Sequence, residues 1–286
     1  MITRGVRYML LASFFFALMN VAVKSLGHLP AAEIAFIRSA VSLMLSLGLI
    51  QAAGIALPGK NVKGLLLRGF FGAFSLILFF ITLQHMPLAT AVTIQYLSPI
   101  FASLMAMVAL KERVLPLQWL FFAVAFTGVV VVQGFDGGGS WFYLGVAVAS
   151  ALFAGLAYTM IRQLKDSEHP LLIIFYFPLV SLPVSLAFSL TDWTMPSGWD
   201  WPVLIFVGLS AQAAQYFMTR SYQEEDLSKV ASLKYVGIIY ALLFGYFLFG
   251  ESFTLQSYAG MVLVLVGVSL NIWYKHRVDQ VVADNG

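Results

Sequence analysis

The chain has 286 residues, 60% of them hydrophobic and only 10% charged, with a mean hydropathy of +0.89. A soluble domain carries about 25% charged residues, so this composition excludes a water-soluble fold and describes a chain whose surface faces lipid. The excess of 16 Lys and Arg over 13 Asp and Glu does not indicate nucleic-acid binding, and zero cysteines exclude disulfides, thiolate zinc sites and cysteine nucleophiles.

With roughly 20 apolar residues per span and breaks at charge, Pro and Gly clusters, the chain reads as ten transmembrane helices. They cover approximately residues 6–26, 31–52, 64–85, 88–110, 114–134, 141–162, 170–190, 201–222, 227–249 and 253–274. The first run lacks a clear cleavage site and reads as a spanning helix rather than a secretory signal. Connections are short; the most turn-like are Pro58 to Asn61, Gly137 to Ser140 and Thr191 to Asp200. Lys and Arg concentrate in cytoplasmic loops. With the N-terminus inside, that side collects thirteen of the sixteen bases, Arg68 among them. Both termini are therefore expected in the cytoplasm, with the chain in the cytoplasmic membrane.

One unit occurs twice. Leu88 to Glu112 returns 139 residues later as Leu227 to Glu251, with Tyr96 meeting Tyr235, and the same shift carries Gly69 to Gly208, Gln84 to Gln223 and Gly128 to Gly267. The division is 1–136, 137–275 and a cytoplasmic tail, 276–286. Five helices per unit is an odd number, so the second copy enters the membrane from the opposite side. The fold class is thus all-α and polytopic, two inverted five-helix repeats, an architecture of secondary transporters with a site near the midplane.

Ser98, Ala102 and Ala106 in the first copy, and Gly237, Ala241 and Gly245 in the second, form small-residue stripes one turn apart. They are expected to let helices four and nine cross closely at the centre. Gln95 and Lys234 precede these stripes at equivalent positions. Pro99 clashes with the carbonyl four residues earlier, that of Gln95, and frees it; the second copy runs uninterrupted at Gly237-Ile238. Lys234 lies about 10 Å into its helix at 1.5 Å per residue. A charge inside a span marks a functional site by default, against the alternative of snorkelling.

Asn20 on the first helix is expected to line a cavity. Lys24, Glu33 and Arg38 read as a gating cluster or an ion pair fixing the outer ends of helices one and two, with substrate contact the alternative for the two bases. The eighth helix carries a polar face, Gln212, Gln215, Tyr216, Thr219 and Tyr222, whose counterpart in the third helix is apolar. Tyr158 and Tyr240, with Tyr96, supply candidate aromatic walls. No Asp or Glu lies centrally in any predicted span, which favours a substrate bearing a carboxylate or phosphate. His28, His85, His169 and His276 fall at helix ends or in loops, and no metal-binding or phosphate-cradling pattern occurs. Neither catalysis, a metal nor a cofactor is expected.

Asn20, Lys24, Pro30 and Arg38, then Ala91 through Ser98-Pro99, Glu112 and Gly128, echoed by Glu251 and Gly267, resemble the drug/metabolite transporter superfamily in its ten-helix branch with two EamA repeats. The resemblance covers essentially the whole chain. It implies a cavity between helices one, three, four, six, eight and nine, with helices five and ten as scaffold or homodimer contacts. It also implies that Glu112 and Glu251 are structural loop-end residues rather than coupling acids. The expected activity is export of a small amphipathic metabolite, anionic or zwitterionic, by alternating access. A channel or a membrane scaffold is the competing class.

Overall fold

The computed structural model describes residues 3–109, 114–133, 140–165, 167–224 and 232–284. The expectations placed on Glu112, on the glycines at 137–139 and on the start of the second copy at Leu227 lie outside them. The described residues contain helices and no strand, as lipid requires of a chain that must satisfy its own backbone. The helices are α1 (Arg4–Ser25), α2 (Ala31–Ala52), α3 (Val62–His85), α4 (Leu88–Gln95), α5 (Ser98–Ala109), α6 (Pro116–Gln133), α7 (Trp141–Leu164), α8 (Pro170–Ser189), α9 (Asp200–Glu224), α10 (Val236–Phe249) and α11 (Leu255–Asp284). Among the described residues, eight spans are long and apolar enough to cross a membrane, α4 and α5 counting as one, and two shorter apolar helices bring the count to the expected ten. Polar side chains start several of them: Asn61 Oδ1 accepts the Gly64 N–H at 3.0 Å and His169 Nδ1 that of Leu171 at 3.2 Å.

The fourth predicted helix is two helices. Pro99 cannot donate to the Gln95 carbonyl, and the chain turns at Tyr96 and Leu97, whose N–H groups bond Thr93 at 3.1 Å and Ile94 at 3.0 Å. The second copy runs uninterrupted through Gly237-Ile238 within α10, as expected, but not ahead of it. A 3₁₀ turn, Ser232–Tyr235, precedes α10. Both copies therefore change helical geometry at the same register, although only the first carries a proline there. The last helix runs on to Asp284, through most of what the sequence reads as a tail.

Helix α1 packs along α9, α3 along α7, α2 along α8 and α6 along α11, while α4 meets α10. The 139-residue shift exchanges α1 with α7 and α3 with α9. The first two pairs then map onto each other and the rest onto themselves. Glycine contacts repeat in the same way. A Cβ at Gly69 would lie 2.7 Å from Val180, and one at Gly208 would lie 2.5 Å from Val41, the equivalent pair. On the α6–α11 face a Cβ at Gly128 would meet the Val264 nitrogen at 2.6 Å, and one at Gly267 the Ala125 nitrogen at 2.7 Å. Backbone on both sides leaves no flexible group to yield. Gly128→Leu is therefore expected to destabilise the protein by at least ~1–3 kcal/mol, measured as thermal unfolding in detergent. Gly145→Leu, with nothing within 4 Å of its Cβ, should leave the midpoint unchanged.

Candidate functional site

The two breaks in helical geometry face each other. The Tyr96 hydroxyl donates to the Lys234 carbonyl at 2.7 Å, across the halves, and the rings of Tyr96 and Tyr235 meet edge to face at 5.0 Å. Gly237 makes this approach feasible, because a Cβ there would collide with the Tyr96 hydroxyl. The crossing of the halves is thus made at Tyr96 and Gly237.

Beside this crossing lies a cavity of about 180 Å³. Its walls come from α1 (Ser13, Ala17, Asn20), α3 (Arg68, Gly72, Ser75), α7 (Ala154, Tyr158, Ile161) and α9 (Gln215, Met218), completed by Arg38, Phe177, Gln95 and Lys234. The bundle end with the α1 N-terminus also holds the C-terminal end of α9, where the Ser221 hydroxyl donates to the Gly5 carbonyl at 2.7 Å. The cavity lies toward that end.

Among the described residues, three cations and no carboxylate line it. Lys234 Nζ donates to the Tyr158 hydroxyl at 3.2 Å and sits 5.0 Å from that ring's centroid. Arg38 and Arg68, only 2% and 6% exposed, place their Cζ atoms 4.8 and 4.3 Å from the centroid of one ring, Phe177. The ring faces their charge but accepts no conventional hydrogen bond. Nε and Nη1 of both arginines, Ser13 Oγ and Asn20 Oδ1 are buried without a hydrogen-bond partner among the described residues. Burying a polar group without compensation is costly and burying a charge more so, so these atoms mark where a ligand would recover energy. Gly72 makes room: its Cβ would stand 2.8 Å from Arg68 Nη1 and 2.9 Å from Phe177.

The opposite end is closed by a latch. Lys24 Nζ donates to Met86 O at 2.7 Å and Leu83 O at 3.3 Å, and lies 3.0 Å from Glu251 Oε1. The Glu251 carboxylate also accepts the Leu88 N–H, at 3.0 and 2.8 Å, at the start of α4. Gly250, at φ 64°, turns the chain back there, and Gly245 lacks the Cβ that would meet Glu251 Oε2 at 2.5 Å. The carboxylate that meets Lys24 is therefore that of Glu251, from the other half, rather than Glu33. Fully buried Glu33 accepts the Thr194 N–H at 3.0 Å instead. Arg38 joins neither; it stacks on Phe177.

Of the residues singled out in the sequence, the structure brings Asn20, Gln95, Tyr96, Ser98, Tyr158, Gln215, Lys234 and Gly237 to the cavity, with Arg38. The polar face of the eighth predicted helix is not one wet surface. Gln212 Oε1 accepts from Ser46 on α2 at 3.3 Å, Thr219 returns its hydroxyl to the Gln215 carbonyl at 2.8 Å, and Tyr216 is 38% exposed. Tyr240 packs edge to face on Phe14 at 5.6 Å, away from the cavity. Gln95 is engaged by Ser75 and Ser150, which also exchange hydroxyl-to-carbonyl bonds between α3 and α7. Ala102, of the first stripe, faces α7, where its carbonyl accepts from Thr159 at 3.3 Å; Ala106 and Ala241 are buried in packing, off the cavity.

Arg68 and Phe177 are the residues that sequence reasoning missed. Arg68 was grouped with the loop bases, although it lies six residues into α3, about 9 Å deep at 1.5 Å per residue. The depth argument used for Lys234 finds it.

The chain matches the EamA-like transporter family over residues 3–133 and 141–273. It is 35% identical over 265 residues to the pseudopaline exporter CntI of Pseudomonas aeruginosa strain UCBPP-PA14, covering 92% of this chain and 93% of that protein. Human solute carrier family 35 member G1 is 28% identical over 292 residues, covering 95% and 80%. A riboflavin transporter of Vibrio cholerae is 24% identical over 275 residues, covering 93% and 92%. A solved crystal structure aligns with a TM-score of 0.68 at 17% identity, over 96% of this chain and 98% of that one, a likeness of fold alone.

Removing one partner of a buried ion pair costs about 3–5 kcal/mol, whereas replacing both with apolar groups is often close to neutral. Glu251→Met is therefore expected to lower thermal stability sharply, and Lys24→Met combined with Glu251→Met to recover most of the loss. A thermal-unfolding double-mutant cycle would read the coupling.

Proposed function

The chain belongs to the EamA-like transporter family, and on that premise we propose that it is a secondary carrier exporting a small amphipathic metabolite, anionic or zwitterionic and related to an amino acid or organic acid. The observation that carries this reading is the cavity between the halves, lined by Arg38, Arg68 and Lys234 and by no carboxylate among the described residues. Alternating access is supported by the latch at one end and by helix pairings that survive exchange of the two halves. With the distribution of Lys and Arg placing both termini in the cytoplasm, the two units are inverted repeats, the cavity lies toward the cytoplasmic side, and Lys24–Glu251 closes the outer side. An exporter loads from the cytoplasm. That orientation agrees with the export role of the Pseudomonas relative.

Lys234 draws the anionic group, its position held by Tyr158, while Asn20 and Gln215 offer hydrogen bonds beside it. A thermal-shift screen of metabolites on the purified protein, followed by counterflow in liposomes, tests the proposal. A carrier gives saturable, trans-stimulated exchange. Unsaturable flux would instead identify a channel, and no flux a scaffold. A hydrogen bond to a charged group is worth about 1.5–3 kcal/mol, so Lys234→Ala should raise the half-saturation concentration of the best substrate by roughly tenfold or more. Unchanged saturable exchange would refute the role given to the lysine.

A further inference from the structure

The Lys234 side of the cavity accounts for one anionic group; the arginine side is a separate demand. Arg38 comes from α2, Arg68 from α3 and the ring between them from α8. Neither the Tyr158 hydroxyl nor any other described acceptor forms a hydrogen bond with Nε or Nη1 of these guanidiniums. Both are at least nine-tenths buried, and each keeps Nε and Nη1 without a partner among the described residues. Room for Arg68 depends on a glycine at position 72. A guanidinium offers a planar fork of donors that a carboxylate meets with two parallel hydrogen bonds.

We infer that Arg38, Arg68 and Phe177 form a second anion subsite, so that the substrate class is a small molecule with two or more carboxylates joined by a short apolar body. One carboxylate meets the paired arginines and another meets Lys234, while Phe16, Leu76 and Phe79 contact the carbon chain between them. The inference rests on the carrier reading and narrows it. A zwitterion would bring its ammonium into a cavity that holds three cations and, among the described residues, no carboxylate, whereas a dicarboxylate lowers the positive charge at both sides. The cavity also suits a compound of few carbons.

The test uses the purified full chain at fixed pH and ionic strength with hexanoate, adipate, tricarballylate and pyrophosphate. Adipate and tricarballylate are expected to raise the thermal unfolding midpoint, with half-saturation at least tenfold below that of hexanoate. Arg68→Met and Arg38→Met should each cut adipate affinity at least tenfold while raising the ligand-free midpoint, because each removes a buried cation that lacks an acceptor. A merely structural arginine would lower that midpoint. Equal responses to hexanoate and adipate, a preference for pyrophosphate over both carboxylate series, or unaltered adipate binding in both variants would overturn the subsite. Liposome counterflow separates the two levels of the proposal. Arginine-dependent adipate binding without exchange supports the subsite and refutes the carrier reading. Saturable exchange of a zwitterion or cation, indifferent to adipate, refutes the subsite and leaves the carrier standing.

Discussion

A backbone carbonyl inside a bilayer must find a donor, and this protein leaves the regular helix twice near its centre. The break at Tyr96 and Leu97 and the 3₁₀ turn ending at Tyr235 stand opposite each other. One tyrosine serves both, its hydroxyl capping the Lys234 carbonyl while its ring packs on Tyr235. That contact sets how closely the halves approach, and only a residue without a side chain is tolerated at Gly237. The cavity exists beside it because two helices change geometry there instead of filling the space with regular turns.

The electrostatics are lopsided on an otherwise repeated frame. At the latch, Lys24 meets a carboxylate, a ring and two carbonyls, and the same carboxylate holds the first N–H of α4. At the cavity, Arg38 and Arg68 share one ring and keep Nε and Nη1 without a hydrogen-bond partner among the described residues, while Lys234 meets Tyr158. Satisfied charge closes one end, and unsatisfied donors wait at the other. Aromatic rings steady a cation while leaving its hydrogen-bond donors available, which a carboxylate partner would not. This imbalance is what the proposed binding site rests on.

Local chemistry made much of this legible from the chain alone. Composition dictated helices in lipid, Pro99 announced the first break, and the 139-residue echo exposed the duplicated unit. The glycine pairs 69 and 208, and 128 and 267, marked the repeat, while the contacts they allow were set by packing. Lys234 pointed to the cavity because a charge in an apolar stretch needs a reason, although it sits in the 3₁₀ turn ahead of α10 rather than deep in a helix, and Asn20 followed from its place on the first helix. Each of these is a property of composition, of the repeat, or of one residue and its neighbours along one helix.

What only tertiary structure decided is which helices those properties meet. Glu33 lies nine residues from Lys24, yet the carboxylate that reaches Lys24 is Glu251, 227 residues away in the chain. Gln212, Gln215 and Thr219 share a helix face in sequence, but the packing of α2 and the pull of a backbone carbonyl leave Gln215 alone of the three on the cavity. Arg68 looked like a loop base until α3 set it beside Arg38 over one phenylalanine. Periodicity assigns a side chain to a face of its own helix; the partner of that face depends on how ten spans arrange themselves around two breaks, and burial and charge pairing follow from that arrangement.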